Sequence, residues 1–162
     1  AESVDLGIAL GAVPGNVGWT NTIANVRQSI YASSDYLSRC RPPASPFDLK
    51  QHDCIVESSG NERHAWQFEH NGDVTTVRID AKFVVSGLLE AREATLAGLG
   101  ISRLPQYLCE PYQQAGRLVD LMPEVESAGR DVIVISPRRR QRKTGTAALR
   151  MHLESAFNNE TL

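Results

Sequence analysis

The chain has 162 residues, of which 41% are hydrophobic and 22% are charged, and its 17 Lys and Arg residues nearly balance 19 Asp and Glu residues. This composition can bury a core and excludes a wholly disordered chain. The formal net charge of -2 gives no overall field that would attract nucleic acid or an anionic membrane, so any such role must be local. No apolar run reaches the ~20 residues that a membrane-spanning helix needs.

Cysteine usage and the N-terminus bear on the compartment. The three cysteines, Cys40, Cys54 and Cys109, are odd in number, lie far apart and form no CxxC pair. A disulfide framework or a zinc site is therefore not expected, and a reducing, cytoplasmic compartment is favoured. The N-terminus also lacks the basic region and the cleavage site of a signal peptide.

The first predicted element is a strand that starts almost at residue 1. Val4, Leu6, Ile8 and Leu10 are apolar at every second position, which is the period of a strand. Because the strand begins at once, we expect the chain to be a fragment of a longer polypeptide. The glycine-rich stretch 11–21 that follows is expected to connect two lobes.

Turn and cap residues divide the next segment. The pattern predicts a strand at 23–32, a short helix capped by Ser33 or Ser34, a turn at 47–49, a strand at 53–57 and a polar loop at 58–61. Pro42, Pro43 and Pro46 end the short helix.

The clearest local signal is the dipeptide Asn71-Gly72, which predicts a two-residue type I′ hairpin turn. Counting outward from the turn predicts three pairs, His70 with Asp73, Phe68 with Thr75, and Trp66 with Val77. The face that carries Trp66, Phe68, Val77 and Ile79 is predicted to be core.

The second half alternates strands and helices. A strand at 82–85 precedes a helix that starts at Ser86, and that helix is predicted to bury Leu88, Leu89, Ala91, Leu96 and Leu99. The remaining predicted elements are a strand at 101–104, a helix opened by Pro105, strands at 118–121 and 132–136, and a C-terminal helix with Leu149, Leu153 and Phe157 on one side. This order predicts an α/β fold with mostly parallel pairing except at the hairpin.

No set of catalytic or metal-binding residues emerges. GxSxG, HExxH, Walker and CxxC motifs are absent, and the glycines of 11–18 do not have GxGxxG spacing. Ser58-Ser59 has no identifiable base partner. The four histidines, His52, His64, His70 and His152, lack ligand spacing and are expected to be solvated. We therefore expect neither an enzyme nor a cofactor or metal site.

Two features admit a binding role. The basic run Arg138, Arg139, Arg140, Arg142 and Lys143 lacks interleaved aromatic residues, which favours a solvated loop over contact with phosphate or an acidic partner. The helix start at Ser86 offers free backbone N–H groups of Gly87, Leu88 and Leu89 to a carboxylate or phosphate. The alternative is that Ser86 only caps its own helix.

Seven segments, in this order, resemble the effector-binding domain of LysR-type transcriptional regulators. AGLGISRLP is the most family-specific of them. The segments are DLGIALG (5–11), VRQSIYASSDYLSR (26–39), PFDLKQHDCI (46–55), AWQFEHNGDV (65–74), VVSGLLEA (84–91), AGLGISRLP (97–105) and AGRLVDLMPE (115–124).

The resemblance implies a type 2 periplasmic-binding-protein-like fold, in which two α/β lobes are joined by crossover strands. It implies a first-lobe strand and hinge at 1–22, a second lobe at 23–126, and a return to the first lobe at 127–162. The winged helix-turn-helix DNA-binding domain and the opening part of the first lobe are expected to lie outside this chain, so the first lobe is incomplete. An exposed apolar sheet edge would then favour self-association.

The resemblance also implies the binding residues. The effector-binding set, by match to the family's cleft, is Ser58, Ser59 and Gly60 in a loop, Val85, Ser86 and Gly87 at a strand end and helix start, and Leu10 and Gly11 at a first-lobe strand end. Trp66 is left in the core.

The implied function is that of a cytoplasmic, non-enzymatic sensor domain. Its expected partners are a small organic-anion effector and further copies of itself, as a dimer or, in the full-length protein, a tetramer. DNA contact is expected only through the missing N-terminal domain, and membrane contact is not expected. A solute-binding protein of similar fold that serves transport is the alternative, and it would require a signal peptide and an intact cleft.

Overall fold

The computed structural model describes residues 5–11, 13, 18–58, 65–136 and 144–157. The chain divides into two compact units, Arg27–Ala128 and the combination of Ala1–Val26 with Gly129–Leu162. The identification of these units with two effector-binding lobes, and the boundaries 1–22, 23–126 and 127–162, stay predictions.

Nine strands and four helices are described, with one 3-10 turn at Pro46–Gln51. The strands are β1 (Gly7–Leu10), β2 (Trp19–Ser33), β3 (Cys54–Glu57), β4 (Ala65–His70), β5 (Asp73–Arg78), β6 (Ala81–Val85), β7 (Ile101–Pro105), β8 (Leu118–Asp120) and β9 (Glu126–Ser136). The helices are α1 (Ser34–Leu37), α2 (Leu88–Leu96), α3 (Gln106–Gln114) and α4 (Thr144–Phe157). In the part of the chain that is described, no helix is long and apolar enough to cross a membrane.

The predicted α/β class is confirmed, but the predicted predominance of parallel pairing is wrong. Of the strand pairs whose register is described, β3–β6 and β3–β7 are parallel. The antiparallel pairs are β1–β9, β2–β7, β2–β8, β4–β5 and β4–β9. Alternation of strands and helices indicates a connection long enough for a crossover, but it does not determine the direction in which each strand enters the sheet.

The hairpin prediction is confirmed in turn and register. Asn71 and Gly72 both have positive φ, 53° and 85°, as a type I′ turn requires. The predicted pairs are observed, from His70 opposite Asp73 to Trp66 opposite Val77. The predicted face, Trp66, Phe68, Val77 and Ile79, is buried in a cluster with Ile30 and Leu49. On the other face, α2 and α3 cover a second cluster that includes Tyr31, Ile55, Ala91, Leu104 and Cys109.

The two helix starts that were predicted at serine residues have different outcomes. Ser33 caps α1, because its hydroxyl oxygen accepts from the backbone N–H of Tyr36 at 3.2 Å. The predicted start of α2 at Ser86 is wrong: Gly87 is the N-cap and the helix begins at Leu88. Gly98 ends α2 with φ of 74°, and its N–H donates to the Thr95 carbonyl at 2.9 Å.

The buried side of α2 also differs from the prediction. Leu89 and Leu99 are exposed, at 54% and 45% of their surface, whereas Ala91 and Thr95 are buried. Thr95 is tolerated there because its hydroxyl donates to the Ala91 carbonyl at 2.8 Å and lies 2.7 Å from Ser102 Oγ. Small residues at this spacing let the helix approach the sheet closely, so the long leucine at position 89 faces outward.

The unit formed by the two chain ends has its own core. Ile23, Val26, Val132 and Val134 are buried together, and Leu153 and Phe157 of α4 pack against them. Leu149, which shares the helical spacing of Leu153 and Phe157, is 49% exposed. Arg150 lies over the ring of Trp19, with Cζ 4.6 Å from the ring centre, and this contact fixes α4 against β2. The basic run 138–143 lies outside the described residues.

Two buried thiols make the free energy of unfolding depend on pH in the alkaline range. Burial raises the pKa of the Cys54 and Cys109 thiols from 9.0 to about 12. In the unfolded chain both ionise near the ordinary value, so the free energy of unfolding is unaffected below pH 9 and falls as the pH rises towards 12. The expected slope is about 1.4 kcal/mol per thiol for each pH unit in that window.

Urea unfolding under reducing conditions between about pH 8 and pH 11 measures this dependence. The variant Cys54→Val is the control, since it removes one of the two buried thiols and keeps an apolar side chain in the core. In this variant the free energy of unfolding should fall less steeply with pH, by the contribution of one thiol, about 1.4 kcal/mol for each pH unit. Identical pH profiles for the two proteins would contradict the assignment.

Candidate functional site

The carboxyl ends of β3 and β6 form one edge of the sheet. The two strands are parallel, with Glu57 opposite Val85. Beyond this pair the backbone N–H of Ser58 donates to the Val85 carbonyl at 2.8 Å, so the two segments that leave the strands start side by side. In open α/β sheets the crevice outside the carboxyl ends of strands is the usual ligand site. Ser58, Val85, Ser86 and Gly87 therefore lie at an edge suited to ligand binding.

The start of α2 supplies polar groups at this edge. With Gly87 as the N-cap, the backbone N–H groups without an intrahelical acceptor belong to Leu88, Leu89 and Glu90, one residue later than predicted. Ser86 is exposed, and Gly87 rather than Ser86 is the N-cap, so the Ser86 hydroxyl is available for other contacts. These N–H groups and the positive end of the helix dipole favour an anion.

Glu90 modifies the electrostatics of the helix start. Its carboxylate folds back over the N-cap, since a Cβ built on Gly87 would stand 2.7 Å from Glu90 Oε2. Glu90 thus already provides a negative charge that stabilises the helix dipole. An anionic ligand at this position would compete with that carboxylate.

Leu10 and Gly11 belong to the other compact unit. Leu10 is opposite Val132 in the β1–β9 pair, and the Gly11 N–H donates to the Asp131 carbonyl at 2.8 Å. Gly11 has φ of 84°, a conformation that glycine adopts without strain. Ser59 and Gly60 lie outside the described residues. Of the predicted set, four residues are therefore found together at one edge.

Three buried polar side chains were missed by the sequence prediction. Gln28, Arg103 and Ser127 are 3%, 8% and 8% exposed. Cζ of Arg103 lies 5.8 Å from the centre of the Trp66 ring, so a cation and an aromatic face are buried together. A signal was available for Arg103, because this long basic residue lies inside the short strand predicted at 101–104.

The histidines show no metal-binding arrangement in the described part of the chain, where no group of three potential ligands occurs. His52 Nδ1 lies 3.1 Å from the Tyr36 hydroxyl, and this hydroxyl also accepts from the Asp53 N–H at 3.2 Å. If the Tyr36 hydroxyl donates to Nδ1, His52 is the tautomer that accepts at this nitrogen. His152 is exposed on α4, and His64 lies outside the described residues.

Comparison with known proteins is consistent with this architecture. The family model described as the LysR substrate binding domain matches residues 1–158. An HTH-type transcriptional regulator of Haemophilus influenzae is 24% identical over a region that spans 86% of this chain and 49% of that protein.

Solved structures give the fold. The regulatory domain of CrgA, a LysR-type transcriptional regulator from Neisseria meningitidis, superposes with a TM-score of 0.78 at 18% identity, covering 95% of this chain and 76% of that one. The regulatory domain of CcmR from Synechocystis PCC6803, in complex with 2-PG, gives 0.72 at 16% identity, covering 98% and 76%.

The chain spans between about a third and a half of the length of the curated relatives, with 32% and 49% for two of them. These relatives are transcriptional regulators rather than enzymes. The family-model match covers nearly the whole chain, and the fold agrees with that of LysR-type regulatory domains. The chain therefore belongs to the LysR substrate-binding domain family.

Proposed function

We propose that this chain is the effector-sensing part of a cytoplasmic LysR-type transcriptional regulator and that its effector is a small organic anion. The observation that carries the proposal is the hydrogen bond from the Ser58 N–H to the Val85 carbonyl, which aligns a loop and a helix start at one sheet edge. The free N–H groups of α2 support the choice of an anion.

Sensing requires that the effector bind one arrangement of the two lobes better than another. Only that difference in affinity can shift the equilibrium between arrangements. A coupling free energy of about 1–3 kcal/mol, equivalent to roughly 5–150-fold in affinity, is enough for a useful response. The assignment of Ser58, Ser59, Gly60, Val85, Ser86, Gly87, Leu10 and Gly11 to the effector site is part of this proposal.

The remaining parts of the proposal concern the longer protein. DNA would be bound by a separate winged helix-turn-helix domain, and the regulator would act as a homo-oligomer without enzymatic activity. Light scattering tests self-association of this chain, and a stable monomer at high concentration would contradict it. The transport alternative is less well supported, because the relatives are transcriptional regulators.

The variant Ser86→Ala tests the helix start. Ser86 is exposed, so the fold should be unaffected, while a lost hydrogen bond to a charged ligand should weaken binding about tenfold, or ~1.5 kcal/mol. The measurement is titration calorimetry with the tightest-binding member of a panel of small carboxylates. Equal affinity in both proteins would remove Ser86 from the site.

The variant Glu90→Gln is the matched test of charge at the same helix start. Removing the carboxylate that folds over Gly87 should strengthen binding of the same acid about twofold to fivefold, since a like charge is lost. The two substitutions thus have opposite expected signs. Unchanged affinity in both variants would indicate that the acid binds elsewhere.

A further inference from the structure

A buried amide on β2 has no evident structural role. Gln28 is 3% exposed, and among the described residues neither its amide oxygen nor its amide nitrogen has a hydrogen-bond partner. Buried polar groups in native proteins are nearly always paired, and an unpaired one requires an explanation such as a bound water, ion or ligand. Gln28 lacks both a donor and an acceptor contact, so the missing partner must supply one of each.

Ser127 on the neighbouring strand repeats the observation. It is 8% exposed, and within the described ranges its hydroxyl also has no partner. Ser127 is opposite Phe68 in the β4–β9 pair, and β9 is next to β2 in the sheet. Gln28 is two residues before Ile30, which packs in the same cluster as Phe68. The two polar side chains therefore lie on one face of adjacent strands.

Arg103 and Trp66 complete this face. Arg103 is opposite Ile30 in the β2–β7 pair, so its side chain is on the Gln28 face. Its guanidinium lies beside the ring of Trp66, with Cζ 5.8 Å from the ring centre. A buried amide and a buried hydroxyl on one face of the sheet are suited to a small ligand that forms several hydrogen bonds.

The sheet register connects this face to the edge at Ser58 and Val85. Gln28 is opposite Pro105, the last residue of β7, and β7 runs parallel to β3. Gln28 therefore lies level with the carboxyl ends of the parallel strands, where Glu57 is opposite Val85. All of these residues belong to the single unit Arg27–Ala128.

We propose that Gln28, together with Ser127, determines effector specificity, and that the effector is a carboxylate with a hydroxyl or amino group on the adjacent carbon. The inference rests on the function proposed above and names its ligand class. The amide N–H groups of Gln28 donate to the carboxylate, and the amide oxygen accepts from the neighbouring hydroxyl or amine. A plain carboxylate leaves that buried acceptor unpaired, which is the arrangement that rejects a ligand most strongly.

Three matched pairs of acids test the ligand class, L-malate with succinate, L-lactate with propionate, and L-glutamate with glutarate. In titration calorimetry, the donor-bearing member of at least one pair should bind the wild-type protein at least tenfold more tightly than its partner. The variant Gln28→Leu should abolish this preference and bind the preferred acid at least tenfold more weakly. Because Leu is apolar and of similar size, its melting temperature should not fall.

Two further variants separate binding from folding. Ser127→Ala removes a single oxygen, so it should keep the wild-type melting temperature. Its affinity for the preferred acid should be about threefold lower. Ser102→Ala is the matched control, since Ser102 is also a buried serine but contacts Thr95 Oγ1 at 2.7 Å on the opposite face. It should lower the melting temperature by about 4 °C and leave the acid preference intact.

The outcomes distinguish this inference from the function on which it rests. If both members of every pair bind equally and the Gln28→Leu and Ser127→Ala variants bind like the wild type, the inference is wrong and acid sensing stands. If the Gln28→Leu variant does not fold, unchanged acid binding by the Ser127→Ala variant also shows that the inference is wrong while acid sensing stands. If none of the six acids binds, the proposed organic-acid effector and this inference are both wrong.

Discussion

Gly100→Ala is expected to lower the free energy of unfolding by about 3 kcal/mol or more, at the upper end of the cost of overpacking. A Cβ at position 100 would overlap the carbonyl oxygen of Asp53 and stand 3.0 Å from its carbonyl carbon. That backbone cannot move aside, because the same carbonyl accepts from the Ile101 N–H at 2.8 Å in the contact of β3 with β7.

Asp53 is also held by its other groups. Its N–H donates to the Tyr36 hydroxyl at 3.2 Å, and its carboxylate receives a hydrogen bond from Lys82 at 2.7 Å. Relief of the overlap would therefore disturb contacts to three separate elements. Gly145→Ala is the control, since no atom lies within 4 Å of a Cβ there and Gly145 is exposed.

Urea unfolding of the two alanine variants provides the comparison. Gly145→Ala should change the free energy of unfolding by no more than about 0.5 kcal/mol, because Gly145 is exposed and is the second residue of α4. The contrast between the two sites makes the result independent of any general effect of added methyl groups. A Gly100→Ala variant that unfolds at the wild-type midpoint would contradict the close approach of β3 and β7.

Phe68→Ala is expected to cost about 3–5 kcal/mol, as is usual for truncation of a buried phenylalanine. Phe68 is 2% exposed and lies opposite Thr75 on one side and Ser127 on the other, so its ring fills space between three strands. Domains of this size are stable by about 5–15 kcal/mol, so the loss removes a large share of the total.

Val74→Ala is the control on the same hairpin. Val74 is 65% exposed, and its truncation should change the free energy of unfolding by no more than about 0.5 kcal/mol. Chemical denaturation monitored by tryptophan fluorescence measures both variants. Midpoints that coincide for Phe68→Ala and Val74→Ala would show that this face of the hairpin is not core.

The hairpin was predictable in full because its determinants are local. Asn71-Gly72 accepts the positive φ values of the turn, and a two-residue turn leaves one register in which Trp66 and Val77 share a face. Strand direction was not predictable in the same way. Whether β9 meets β4 in an antiparallel arrangement depends on contacts between residues about 60 positions apart, which no local pattern encodes.

The candidate site was predictable only in part. The order of the segments that resemble the family placed Ser58 and Ser86 at the correct strand ends. The helix cap was assigned one residue early, because serine is a common N-cap and glycine is a weaker signal for one. Gln28 was missed for a different reason. A polar residue in an apolar strand is ordinarily read as solvent-facing, and its burial is apparent only once β2 is flanked on both sides.

The discontinuity of one unit has a consequence for the order of folding during synthesis. Arg27–Ala128 is a single stretch of chain, whereas the core of the other unit joins Ile23 and Val26 to Val132 and Val134, more than 100 residues later. On the ribosome the continuous unit can therefore fold first. The discontinuous unit cannot complete its core until β9 has been synthesised. Once formed, the continuous unit holds the two ends of its own stretch of chain in place. This shortens the effective loop between the two segments of the discontinuous unit, which folds last.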